Sequence, residues 1–255
     1  AYITAHPDDE SGPVITYLAR ALHARVVILC LTRGEGGQNI TGPELDEELA
    51  WVRTRELEAA AATYGAEVRF LDALDFGYSK SVEETLARWE EPKLRERLVR
   101  ALRELKPDVV ISRWTPDASS GAQHQAAGIL AQQAFADLGA SSAFPEHLAS
   151  GLEPWPARYF LTHTPSAEEE GTLRVPVEEA DAATGKTYEE LGWEGVRKHR
   201  SQGLDRVQLP RGRQYYLRVD GRRMHAPELT SSRELVQPLD TLPVIFPTVG
   251  ILPAW

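Results

Sequence analysis

The run His6-Pro7-Asp8-Asp9-Glu10 puts an imidazole and three carboxylates into five consecutive positions. Pro7 fixes its own φ and biases His6 away from helical backbone. A sharp turn there lets His6 and Asp9 face one space, and both are good ligands for zinc or a related divalent ion. Asp8, between them in the chain, could stay unligated and take a proton from water, the task of a general base. The same residues also suit a plain helix start, with the carboxylates capping free N–H groups and complementing the dipole while His6 is merely packed. His124 follows the stretch Asp117 to Gln123, where a helix is expected to begin. Alone it reads as an ordinary half-buried histidine. Taken with His6 and Asp9 it completes the three protein ligands of a catalytic zinc centre, which keeps a fourth position for water. Cys30 is the only cysteine, so a metal must be held by histidine and carboxylate, and no disulfide can form within the chain.

These residues must be positioned by the elements around them. Tyr2 to Ala5 reads as the end of a buried strand, with a helix from about Gly12 to Ala24. Arg25 to Thr32 is a continuous apolar run of the kind found in strands buried on both faces. Pro43 is expected to start a long helix that Gly65 caps. Val68 to Leu71 reads as a strand, Pro92 to Leu105 as a helix, Asp108 to Ser112 as a strand and Gln123 to Leu138 as a helix. Strand–helix alternation argues for a parallel sheet flanked by helices, in which ligands sit beyond the carboxyl ends of the strands. His6 and His124 both fall at that end. The second half is less regular: Ala157 to Thr164, Thr172 to Val177 and Gln214 to Val219 read as strands, and Tyr188 to His199 as a helix. Pro and polar residues around Gly151 to Pro156 suggest a joint, but one domain over 1–255 is expected.

With 255 residues the chain can bury a sizeable core, and 28 Lys+Arg against 38 Asp+Glu give a formal charge of -10. That balance disfavours a nucleic-acid partner, whose footprint is normally basic. No apolar run is long enough to span a membrane. The first strand begins abruptly at Ala1, which suggests an incomplete N-terminal strand; a cytoplasmic location is expected, with export left open. The segment Arg33 to Asn39 has Gly34 and Gly36 but not the glycine pattern that opens a dinucleotide-binding helix, so it reads as a loop lining the pocket, with Gly36 against the substrate. No G-x-S-x-G occurs, which disfavours a serine-hydrolase elbow. The cationic stripe Arg95 to Lys106 reads as a solvated helix face. Trp114, in the loop before His124, is a candidate for stacking on a sugar ring.

The stretch Ala5-His6-Pro7-Asp8-Asp9-Glu10 after a short strand, with His124-Gln125-Ala126-Ala127-Gly128 far downstream, resembles the LmbE/PIG-L deacetylase family. The resemblance is strongest over residues 1–140 and recurs at His199-Arg200-Ser201-Gln202, which looks like a late H-x-S-Q segment. It implies metal ligation by His6, Asp9 and His124 and makes Asp8 the general base. Arg53 matches a family arginine associated with substrate, and Asp75 an acidic residue of the sugar pocket. Many members carry a second histidine three residues before the last ligand, where it stabilises the oxyanion or transfers a proton; here that position is Gly121. Either His199, His163 or Arg113 replaces it, or the chemistry leans on the metal and Asp8 alone; His199 is the catalytic candidate and reads equally as a packed histidine at a helix end. The expected protein is therefore α/β: a Rossmann-like three-layer sandwich with a mostly parallel sheet and a β-rich C-terminal part. It would be a zinc-dependent amide hydrolase, another divalent transition metal remaining open, that removes the acetyl group of a small N-acetylated amino-sugar conjugate. The alternative is a weak or inactive metal- and sugar-binding module of the same fold, motivated by Gly121.

Overall fold

In the computed structural model, residues 1–118, 121–208 and 212–236 are described. The apolar runs form the middle of a seven-stranded sheet: β1 (Tyr2–Thr4), β2 (Val27–Thr32), β3 (Glu67–Ala73), β4 (Val109–Ser112), β5 (Tyr159–Thr164), β6 (Thr172–Val175) and β7 (Tyr215–Arg222). Their order is β3-β2-β1-β4-β5-β7-β6. The first five in that order run parallel, and β7 and then β6 add antiparallel at one edge. The chain builds outward from β1 to β2 and β3, then returns to place β4 on the other side of β1. The sheet therefore has its topological switch point between β1 and β4, where a crevice opens at the carboxyl ends of the strands.

Helices cover both faces: α1 (Gly12–Thr16), α2 (Asp46–Tyr64), α3 (Val82–Arg88), α4 (Glu91–Leu105), α5 (Ala122–Leu138), α6 (Pro145–Ala149) and α7 (Tyr188–Val196). Alternation along β2 shows why there are three layers. Ile28 and Cys30 point into a core shared with Val14, Leu57 and Val196 of α1, α2 and α7. Val27, Leu29 and Leu31 point into the opposite core, with Leu94 and Leu98 of α4 and Ala126 and Leu130 of α5. The mostly parallel α/β sandwich expected from the sequence is the fold observed.

Local details differ from the sequence reading. The first helix keeps α geometry only over Gly12–Thr16 and continues as a π-helix through Ala21. α2 begins at Asp46, past Pro43, but ends as expected where Gly65 adopts φ 87° and donates to the Ala61 carbonyl. β3 runs longer than expected, from Glu67 to Ala73, and α7 ends at Val196, before His199. The short helices α3 and α6 lack an extended apolar period and were not expected. No helix among the described residues is long and apolar enough to cross a membrane.

Candidate metal centre

β1 ends at Thr4, and His6 to Glu10 turn at its carboxyl end, on the β1 side of the switch point. Across the switch, Arg113 follows β4 and donates its Nε–H to the Asp9 carbonyl at 2.8 Å, fastening the turn to the neighbouring strand. Asp9 closes the turn on itself: its Oδ2 accepts from the His6 backbone N–H at 2.8 Å and lies 3.1 Å from His6 Nδ1. His124, in the first turn of α5, places Nε2 3.1 Å from Asp9 Oδ1. The two imidazoles stand edge to face, with centroids 5.1 Å apart. His6, Asp9 and His124 thus converge, each offering one ligand atom within 4.8 Å of the others.

Hydrogen-bond logic sets the His6 tautomer. Gln123 spends its amide N–H groups on Asp75 Oδ1 at 3.0 Å and the Gly77 carbonyl at 2.6 Å, so its Oε1 faces His6 Nε2 as an acceptor at 3.0 Å. In the neutral ring His6 Nε2 then carries the proton, which leaves the Nδ1 lone pair available to a metal ion. Outward hydrogen bonds of this kind orient metal-bound histidines. Four ligands ~2.0–2.1 Å from zinc at tetrahedral angles stand ~3.3 Å apart. His6 Nδ1 and His124 Nε2 each stand 3.1 Å from Asp9, on different oxygens of its carboxylate, so it is the two-nitrogen, one-oxygen donor set gathered within 4.8 Å that fits such an ion. Without a cation, burial lowers the His6 pKa, but the Asp9 charge and hydrogen bond outweigh it and raise it to about 9. Burial raises Asp9, yet the facing His6 and His124 pull its carboxyl well below the usual range.

Asp8 is not in this cluster. Its backbone has φ 99°, a left-handed conformation that costs a non-glycine residue of order 1–3 kcal/mol. The carboxylate opens on the cleft and meets Arg53 Nη2 at 3.0 Å. Arg53, from α2, is buried and also donates to the Pro7 carbonyl at 2.5 Å and the Gly34 carbonyl at 2.8 Å. Burial raises the Asp8 pKa and Asp9 adds to it, against Arg53, so the group sits at about 6.

The cleft above these residues has a volume of about 320 Å³. Gly36, Arg53 and Asp75 line it with His6, Asp8, Asp9 and His124, as do Tyr78, Gln123 and Gln202, which the sequence reading passed over. Adjacency to His124 and membership of the His199 to Gln202 tract were the available signals for the last two. Gly36 permits a close approach: a Cβ there would come within 2.3 Å of the Gly77 nitrogen and 2.5 Å of the Asp75 carbonyl oxygen. Asp75 accepts from the Gln123 side chain and the Gly77 N–H, so it braces the wall as well as lining it.

Two expectations require correction. Trp114 does not present a free face to a sugar. Its ring stacks on His124 at 3.9 Å, Arg113 lies 4.5 Å over it, and its indole N–H donates to Asp9 Oδ2 at 3.3 Å. His199 does not face the cleft. It is fully buried with Nε2 2.6 Å from Glu10 Oε1. His163 pairs with the Tyr2 hydroxyl at 2.9 Å, and Arg113 is engaged with Asp9, so none of the three candidate replacements for a histidine at 121 lines the cleft. Gly121 itself has φ 138°, and a Cβ there would lie 3.8 Å from the Tyr78 ring. Ser119 and Ser120 of the same loop lie outside the described residues. In a second group of ligand-type residues, Glu96, Glu146 and His147, the first and last are already paired with each other. Arg100 and Arg103 bind Glu96 and His147, and their charge opposes a cation.

The chain is similar to several proteins of known structure. N,N'-diacetylchitobiose deacetylase from Pyrococcus horikoshii is 25% identical, with a TM-score of 0.59 over 79% of this chain and 69% of that one. The 4-carboxy-2-hydroxymuconate hydratase GalB from Pseudomonas putida shares the fold at 18% identity, with a TM-score of 0.61 over 89% and 97% of the two chains. A conserved protein of Thermus thermophilus shares it at 22% identity and a TM-score of 0.57, over 89% and 96%. No curated protein sequence matches the chain significantly. The profile of the PIG-L family, GlcNAc-PI de-N-acetylase, matches residues 1–135, the span that carries all three converging ligand candidates, Asp8 and Arg53. The chain belongs to the PIG-L (LmbE-like) family.

Proposed function

We propose that the protein is a zinc-dependent N-deacetylase that hydrolyses the acetamide of an N-acetylated amino sugar or a related small amide. One observation carries this reading: two histidines and an aspartate converge on one point, while a separate carboxylate, Asp8, stands beside them free of the ligand set and paired to Arg53. A zinc ion held by His6, Asp9 and His124 would supply Lewis acidity, polarising the amide carbonyl and lowering the pKa of water toward ~7. Asp8 would take the proton from the attacking water and return it to the leaving amine. Arg53 holds that carboxylate at the cleft and favours its charged form at neutral pH. Among the described lining residues next to Gly121, Tyr78 offers a hydroxyl without a protein partner, and we assign it the donor role toward the developing oxyanion. The polar cleft, with its amides and carboxylates, suits a hydroxyl-rich amino-sugar conjugate better than an apolar ligand.

The hydratase among the structural relatives is a reminder that this fold carries more than one reaction, so the site and not the fold supports the assignment. Gly121 favours a second reading, a metal- and sugar-binding module with little turnover. An assay for free amine across a panel of N-acetylglucosamine conjugates separates the two. Release that is abolished by chelator and restored by zinc is the expected result; metal and sugar binding without release supports the module.

A further inference from the structure

Glu10 closes the His6-to-Glu10 run, yet its carboxylate turns inward, away from the cleft, and is buried. Oε2 accepts the backbone N–H of Asp8 at 3.0 Å. Oε1 accepts from the Tyr64 hydroxyl at 2.9 Å and lies 2.6 Å from His199 Nε2. Tyr64 is the last residue of α2, and its ring is slotted between α1 and α7. A Cβ on Gly12 would come within 2.7 Å of that ring, and one on Gly195 within 2.1 Å, so glycine at both places admits it. His199 arrives from a different half of the chain. The residues after it continue the bracing: Ser201 Oγ donates to Glu56 Oε2 at 2.6 Å, one turn along α2 from Arg53, and Gln202 Nε2 donates to the Gln38 carbonyl at 2.8 Å.

The backbone atom that Glu10 grips belongs to the residue with φ 99°, a conformation that persists only where its surroundings hold it. Rotation of that peptide would carry the Asp8 carboxylate away from Arg53. We infer that Glu10, clamped by His199 and Tyr64, is a positioning residue that holds Asp8 in its left-handed conformation and so aims its carboxylate into the cleft; the effect on turnover rests on the reading of Asp8 as the base. His199 and Glu10 touch no substrate, and their contribution passes through one backbone N–H.

Amide hydrogen exchange on the full zinc-loaded chain tests the clamp directly. The Asp8 N–H is expected to exchange slowly in the wild type and at least ~10²-fold faster in Glu10→Ala and His199→Ala, with zinc still bound at one equivalent. On an N-acetylglucosamine conjugate, kcat is expected to fall ~10–10²-fold at nearly constant KM. Tyr64→Phe, which removes one clamp and leaves the ring, is expected to give a smaller loss of the same kind, and it serves if the alanine variants do not fold. An unprotected Asp8 N–H in the wild type overturns the proposal, as does unchanged exchange in the variants or a loss of rate that follows zinc loss. If the wild type hydrolyses no amide, the deacetylase reading fails, while the exchange result still decides whether the clamp exists.

Discussion

Asp8 and Asp9 are neighbours with the same side chain, and the turn gives them opposite environments. Asp9 lies between two imidazoles, whereas Asp8 faces Arg53 and the cleft. Asp8→Asn should therefore keep about one equivalent of zinc by elemental analysis and lose ~10²–10⁴-fold in kcat. His124→Ala should lose the metal. Zinc loss in Asp8→Asn would show that base and ligand have been exchanged. The pH dependence follows from the two raised pKa values. Asp8 must be ionised to accept a proton, so kcat/KM should fall tenfold per unit below about pH 6, and a neighbouring cation would move that limb lower still. His6 sits at about 9 in the metal-free protein, so at pH 7 its ring is protonated and zinc must displace that proton. Calorimetric titration with zinc in two buffers of different ionisation enthalpy should report release of about one proton at pH 7 and less above pH 9. The sign for folding is the same. A pKa raised above the unfolded value of ~6.5 stabilises the metal-free fold fully below that pH and is lost as pH rises through about 9.

At the scale of elements, three strand ends and the start of α5 act together. The α5 N-terminus is pinned by the Ala122 N–H to the Ser79 carbonyl at 3.2 Å, and Gln123 in its first turn links His6 to Asp75. Gln123→Leu would leave the His6 N–H without its acceptor, and such losses typically cost ~10–10²-fold in metal affinity. Zinc affinity by competition with a chelating dye checks this, with Asp9 and His124 still present to keep some binding. Gly36 makes the wall at the end of β2 possible. Gly36→Ala forces its loop away from Gly77 and Asp75, so a rise in KM larger than the change in kcat is expected in steady-state kinetics.

Across the whole molecule, the family match ends at residue 135, but the packed structure does not. Tyr159, Leu161, Val196 and Leu217 share one core with Tyr2, Ile28 and Leu57. β5 pairs with β4 through four residues and would leave that strand open if removed. A fragment of residues 1–150 is therefore expected to lack a cooperative thermal transition by circular dichroism, whereas the full chain shows one. The same half supplies His199 and Ser201 to the rear of the site and Gln202 to its mouth.

Residue type, periodicity and spacing carried most of the parallel core and the three metal-ligand candidates. Buried strands need unbroken apolar runs, and a metal needs imidazole and carboxylate, so both leave marks in the order of residues. The extent of α1 was not readable, because the change from α to π spacing after Thr16 breaks no apolar pattern. Neither were the short helices α3 and α6. The destinations of Trp114, Gln123 and His199 were settled by which partner each met across the fold: an imidazole face, a ring nitrogen, and a carboxylate 189 positions away. Such contacts join residues far apart in the chain, and local sequence holds no record of distance until the sheet and helices have closed around them.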